Sequence, residues 1–328
     1  PMLDGRTGQQ TKASALMQSL VAQAMPQSGN AHMVALDGKT AEVAQLIATG
    51  VITALPEKDQ YRMNVAVTNR ETGKVVATSA ARFLDLALDA KPTAVFNDSP
   101  AIAIDQSVAG YIRTAESMVG MKADDSYLKQ VPAAALLAQA VNAYNGGNWA
   151  EALRSYETAL ANPDGMQLRT LNGIYAAQVK LGNKKEAEAT FGRIMEAGFA
   201  NNDLAIKVLF KPNETSFWPD PAVSAQYPMW LRQIASASKR SSSCMAIIGH
   251  ASRSGEEGHN RQLSLERATV IRQKIDAFAP GFAARATVYG AGSSENMVGT
   301  GKDDASDAID RRVEFKLLPC AQGAVAAR

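Results

Sequence analysis

Apolar and polar positions alternate with three different characters along this chain. Residues 11–25, TKASALMQSLVAQAM, repeat apolar side chains at helical spacing. They predict a first helix with Leu16, Met17, Leu20, Val21 and Ala24 on one stripe, stopped by Pro26 and Gly29. KTAEVAQLIATG predicts a second helix with Val43, Leu46 and Ile47 inward, and VITAL after it is strand-like. Val65 and Val67, then Val75 and Val76, flank the polar stretch Asn69–Gly73, the pattern of two strands joined by a hairpin turn. An irregular connection is expected over LDLALDA and from Pro92 to Pro100; helical spacing returns at 101–121 through Val108, Ile112 and Ala115.

From residue 131 the pattern is helical throughout and repeats itself. Gly147, Ala152 and Tyr156 recur as Gly182, Ala187 and Phe191, a constant offset of 35 residues. Gly suits the turn between paired helices, Ala allows their close approach, and the aromatic fills the space beside it. Helices are expected at about 131–144, 149–162, 166–181 and 184–197, with Asn148 and Asn183 as caps. The pattern resembles the tetratricopeptide repeat, whose period is about 34 residues. Two such repeats serve either as a spacer or as a concave groove for a partner peptide, and the sequence leaves both open.

Beyond residue 203 strands and helices alternate. LAIKVLF (204–210), CMAIIG (244–249), ATVYGAG (286–292) and RVEFKLL (312–318) read as strands; helices are expected through Tyr227, Trp230, Leu231 and Ile234 and over 260–277. The order is βαβαββ, which predicts an α/β sandwich with helices on one face of a mixed sheet. With 328 residues the chain is expected to be multidomain α+β: an N-terminal α/β domain (1–128), the helical repeats (131–200), the α/β sandwich (203–320) and a tail (321–328).

Charge and composition narrow the chemistry. The net charge is +2 with acids and bases interspersed, so no basic block points to nucleic acid. No stretch approaches the roughly 18 consecutive apolar residues of a membrane span. The residues begin PMLDGR, without a basic-then-apolar leader, so any export signal or lipid anchor is expected to lie outside them. His32, His250 and His259 are not spaced with Cys or carboxylates as metal ligands, and no metal or cofactor is expected. GAGSSENMVGTG (290–301) lacks the Lys-Ser/Thr ending of a phosphate loop, and Ser252 and Ser254 do not sit in GxSxG; no catalytic residue and no enzyme activity are expected. Cys244 and Cys320 are the two cysteines. If their apolar runs are neighbouring antiparallel strands, the two lie within disulfide reach; otherwise they are two thiols.

One helix carries an unusual residue. At about 100° per residue, Leu263, Arg267, Ala268, Ile271, Ile275 and Phe278 share a broad stripe, which puts a guanidinium on or beside the buried face. A guanidinium stays charged, so it must meet an anion or line a polar pocket. Asn260, seven residues earlier, projects the same way and is expected as the N-cap, where the helix dipole favours a carboxylate.

The segment MAIIGHASRSGEEGHNRQLSLERA (245–268), with IDRRVEF (309–315), resembles the ligand-binding core of OmpA-like domains. Gly249, His250, Gly255, Asn260, Leu263, Ser264, Arg267, Ala268, Arg311, Arg312, Val313 and Glu314 fall at the family's spacings. Ser252 stands where the family has Asp, and Asp310 where it has Asn. The resemblance implies non-covalent binding of peptidoglycan through a diaminopimelate stem peptide, the carboxylate on Arg267 and the ammonium on the acid that Ser252 replaces. Ser252, Asn260, Arg267, Asp310 and Arg311 are the candidate ligand residues, and Glu256, Glu257, Asp303, Asp304 or Asp310 the candidates to restore the charge. Arg267 as a structural ion-pair partner of Asp310 stays open, as do Arg312 and Glu314 as sheet-edge charges. The resemblance further implies a periplasmic, outer-membrane-associated lipoprotein held to the membrane by an anchor or partner outside these residues, its repeats facing envelope proteins. The alternative is a scaffold whose OmpA-like fold no longer binds peptidoglycan. The first 128 residues resemble, in their order of elements, the small α/β domains of CsgG- and LpoB-type periplasmic lipoproteins.

Overall fold

The computed structural model describes residues 2–24, 34, 43–55, 57, 59–102, 104–162, 164–201, 204–211, 213–219, 224–240, 243–298 and 306–320. The chain forms two compact units, Pro1–Ser99 with Ala103–Gly182, and Pro100–Ile102 with Asn183–Arg328. Each has helices and a four-stranded mixed sheet, so the architecture is α+β.

The first unit begins with β1 (Met2–Asp4), α1 (Lys12–Ala24), β2 (Leu46–Ala54), β3 (Gln60–Asn69) and β4 (Val75–Leu84). The sheet order is β1-β2-β3-β4, with β1 parallel to β2 and the other pairs antiparallel. The hairpin over Asn69–Gly73 is present: Thr72 donates through its amide (2.9 Å) and hydroxyl (3.1 Å) to Asn69 Oδ1, and Gly73 takes the φ of +66° that the turn needs. Two expectations fail here. Leu46–Gly50 is strand, not helix, because it is laddered to β3 along its whole length; the expected start of that helix, residues 39–42, lies outside the described residues. α1 buries Ala13 and Ser14 while Leu16 and Leu20 are exposed. Gln18 Oε1 accepts the Met2 amide at 2.9 Å, and this bond to β1 turns the expected apolar stripe outward.

Six helices follow: α2 (Ala94–Asp98), α3 (Gln106–Ala115), α4 (Asp125–Lys129), α5 (Val131–Asn145), α6 (Trp149–Ala161) and α7 (Leu168–Lys180). α3 lies on β2 and β3, where the Tyr111 hydroxyl accepts from the Gly50 amide (2.9 Å) and donates to its carbonyl (3.1 Å). α5, α6 and α7 pack in succession. The Tyr156 ring occupies the space over Gly173, where a Cβ would come within 2.1 Å of it.

The second unit contains α8 (Lys184–Ala200), β5 (Leu204–Lys207), α9 (Tyr227–Arg240), β6 (Cys244–Gly249), α10 (Glu257–Phe278), β7 (Ala286–Gly290) and β8 (Arg312–Leu318). The boundary at Gly182/Asn183 thus separates α7 from α8. Phe191, the counterpart of Tyr156, stacks on Trp230 of α9 at 5.5 Å. The sheet order is β5-β8-β6-β7, β8 antiparallel to both its neighbours and β6 parallel to β7. α9 and α10 pack together, and Ile206, Tyr227, Trp230, Ile234, Ile271 and Phe315 meet in the core below them. β6 and β8 are the antiparallel neighbours that a Cys244–Cys320 bridge requires. The disulfide is formed, with Cα atoms 4.9 Å apart, and the two-thiol alternative falls.

Candidate functional site

The site lies where β6 and β7 end and α10 begins. Glycine is required on both strands: a Cβ on Gly249 would lie 2.1 Å from the Ser264 carbonyl oxygen, and one on Gly290 2.3 Å from that of Arg261. The helix is therefore seated directly on the strand ends. Ser264 completes the seat, its hydroxyl accepting the Gly292 amide at 2.9 Å and donating to Arg261 O at 2.9 Å.

Three loops close over this end of the sheet. The Ala251 amide donates to Gly292 O (2.8 Å), Asn296 Nδ2 donates to Ala251 O (2.9 Å), and the Met297 and Val298 amides donate to Asp310 Oδ1 (2.6 and 3.0 Å). The Ser293 hydroxyl donates to Glu257 and stands 3.5 Å from Asn260 Nδ2. These bonds tie the loops of Ser252 and Asp310 to the first turn of α10, which carries Asn260, and all three side chains are buried. Asp310 spends one carboxylate oxygen on backbone amides. Glu257 is bound to Ser293, and Asp303 and Asp304 lie outside the described residues. Asn260 is not the cap: α10 starts at Glu257 with Glu256 as N-cap, so Asn260 sits in the first turn with its side chain turned inward.

Arg267 is 3% exposed, as its place on the stripe requires. Its Nε donates to the Glu214 carbonyl (3.1 Å), its Nη2 to the Lys211 carbonyl (3.0 Å), and the guanidinium lies 4.9 Å from the centroid of Phe210. It thus anchors the turn after β5 from the buried middle of α10. Arg311 is buried, and its charge lies near the hydroxyl of Tyr227, which accepts the Leu209 amide.

The expectation of sheet-edge charges at Arg312 and Glu314 is overturned, because β8 is an inner strand. Arg312 binds Glu314 Oε1 through Nε and Nη2, both at 2.8 Å, and Nη1 reaches Glu295 O at 3.2 Å. Next to this pair is His250, 2% exposed, with Nε2 3.4 Å from Glu314 and Nδ1 3.7 Å from Glu295 and neither nitrogen hydrogen-bonded. Burial, with Arg312 beside it, pushes the His250 pKa down to about 4; the ring is neutral at pH 7 and these contacts are not ion pairs. Burial raises the Glu314 carboxyl, but the charge and hydrogen bond of Arg312, with Lys316, outweigh it and hold the group below the ordinary carboxylate value. This charge cluster was readable from period two in RVEFKLL, which puts Arg312, Glu314 and the exposed Lys316 on one face.

No family model and no curated protein matches the chain. Among solved structures, "The structure of the cell wall anchor of the T6SS from Pseudomonas aeruginosa" is 24% identical, over 36% of this chain and 80% of that one, with a TM-score of 0.29. A likeness of that size fixes no shared fold, and function has to be argued from the residues. Among the described residues no helix is long and apolar enough to cross a membrane, and no cluster of His, Cys, Asp and Glu could hold a metal ion.

Proposed function

We propose that residues 203–320 are an OmpA-like peptidoglycan-binding domain of a non-enzymatic, periplasmic cell-envelope protein. The helices of residues 131–200 are tetratricopeptide-like and present a surface to envelope partners, and the outer membrane is reached through an anchor or partner outside these residues. The observation that carries this is the end of the second sheet. Arg267 and Asn260 are both buried on α10, and the loops that carry Ser252 and Asp310 are hydrogen-bonded to one another beside the first turn of that helix. A buried guanidinium, which stays charged, suits the carboxylate of a diaminopimelate stem. Ser252 offers the ammonium a hydroxyl in place of a carboxylate, which lowers the gain by about 1.5–3 kcal/mol relative to a charge-assisted bond.

One observation favours a second function, an envelope scaffold that has lost stem-peptide binding: Arg267 donates to the carbonyls of Lys211 and Glu214, a structural task in itself. Co-sedimentation with purified sacculi separates the two. Peptidoglycan binding predicts that wild type pellets and that Arg267→Ala does not, with Arg267→Lys and a thermal melt controlling for loss of fold. Wild type left in the supernatant while Ser252→Asp pellets would establish the scaffold instead.

A further inference from the structure

The first sheet ends in a long uncovered strand. β4 pairs with β3 on one side only. On its outer side the chain pairs only with the start of the strand. The Val75 amide donates to Met121 O (2.9 Å), the Gly120 amide donates to Val75 O (2.8 Å), and Lys74 is bridged to Lys122. Among the described residues no hydrogen bond reaches the outer side of Val76–Leu84. Every residue of that stretch except Phe83 is exposed, and its one charge is Arg82. Edge strands are normally kept short, charged, bulged or covered. Here the bulge lies at the Val76 end and leaves Ala77–Leu84 in regular register.

Both ends of this free edge carry apolar surface. Beside Val75, Met118, Val119 and Met121 are 70%, 60% and 49% exposed; at the far end Leu84 and Leu86 are 63% and 78% exposed. We propose that a second copy of this chain pairs antiparallel along the outer edge of β4, with Ala80 on the two-fold axis. The free stretch runs from Val76, where the Gly120–Met121 segment stops the ladder, to Leu84, and Ala80 is its middle residue. The register opposes Val76 with Leu84 of the second copy, Ala77 with Phe83, Thr78 with Arg82, and Ser79 with Ala81. No like charges face each other, and the residues nearest the axis are small. The ladder also brings Met118, Val119 and Met121 of each copy against Leu84 and Leu86 of the other, so both apolar ends are covered in one closed, isologous contact. This self-complementarity favours a second copy over an unrelated strand, whose side chains would have to match both ends separately.

The test is light scattering after gel filtration of the full chain over a roughly hundredfold range of concentration, with four substitutions at three exposed positions of this hairpin. Wild type is expected to dimerise. Thr78→Arg, which sets two arginine pairs across the interface, raises the dissociation constant about three- to tenfold, and Thr78→Glu lowers it by a similar factor. Ala80→Cys places two thiols opposite each other at the axis and is expected to cross-link on mild oxidation far faster than Thr72→Cys in the hairpin turn. A wild type that stays monomeric throughout, or a dimer indifferent to charge at position 78 with equal cross-linking at 72 and 80, overturns the proposal.

Discussion

Gly249→Ala probes the seat on which the candidate site is built. The added Cβ would meet the Ser264 carbonyl oxygen at 2.1 Å and its carbon at 3.0 Å. That is about 1 Å inside the closest approach such atoms make, and the obstacle is helix backbone, which cannot swing aside as a flexible side chain can. α10 must lift from the strand ends or β6 must sink. Overpacking of this kind costs about 1–3 kcal/mol, and the rigid neighbour puts this case at about 3 kcal/mol. The displacement also moves Asn260 and Arg267, which ride on the helix. Urea denaturation should show the loss, and sacculus binding should weaken beyond what the unfolded fraction explains. Gly258→Ala is the control: it lies in the first turn of the same helix with nothing within 4 Å of its added Cβ, and should stabilise by up to about 1 kcal/mol. A Gly249→Ala protein with the wild-type midpoint would show that α10 does not rest on Gly249.

Further outcomes follow from other contacts. Reducing the Cys244–Cys320 bridge, which spans 76 residues, should cost about 4–5 kcal/mol by loop-closure entropy and lower the Tm of the second unit by about 10–15 °C, read by calorimetry with and without reductant. Because the folded pKa of His250 lies below its free value of 6.5, near 4, the folded state resists protonation, so its contribution is present above pH 6.5 and lost as pH falls towards 4. Wild type should lose roughly 3 kcal/mol relative to His250→Gln across that window, and a pH-independent difference would remove the effect. Gly173→Ala drives a methyl into the Tyr156 ring and should destabilise the first unit by about 1–3 kcal/mol, while Gly147→Ala is penalised only through its φ of +80°.

The elements of the second unit were legible because β8 and β6 are bounded by turn residues and the apolar stripe of α10 is long. Burial of Arg267 followed from periodicity alone, and the disulfide from the antiparallel relation of its strands. The N-terminal part was harder to read. LIATG satisfies helical and strand spacing equally over so few residues, and only its two sheet partners decide between them. The orientation of α1 depends on a polar bond from Gln18 to the Met2 amide, to which hydrophobic spacing is blind. The 35-residue recurrence located the helices and both left-handed turn glycines, Gly147 and Gly182, but not the packing partners: Tyr156 settles on Gly173 and Phe191 on Trp230. At the site, the motif spacing gave the residues but not their bonds, since Ser293 and Asn296 enter through a loop whose sequence invites comparison only with a phosphate loop, and Glu257 meets Ser293 from the start of α10.

The charges buried at the site explain why position 252 decides the functional question. Arg267, Arg311 and Arg312 supply buried fixed cations, and Asp310 and Glu314 buried or half-buried carboxylates. A serine at 252 brings no charge, whereas an aspartate there would add a carboxylate at a position only 4% exposed. A buried carboxylate without a partner costs several kcal/mol, and an incoming ammonium group would relieve that cost. Ser252→Asp is therefore expected to be less stable than wild type when free and to recover on binding a stem peptide, so that ligand binding and stability become linked. Arg267 cannot report on binding so cleanly, because the same guanidinium holds Lys211 and Glu214 in place. The serine marks the half of the site that can change its charge without dismantling the fold, and the sacculus experiment turns on that residue.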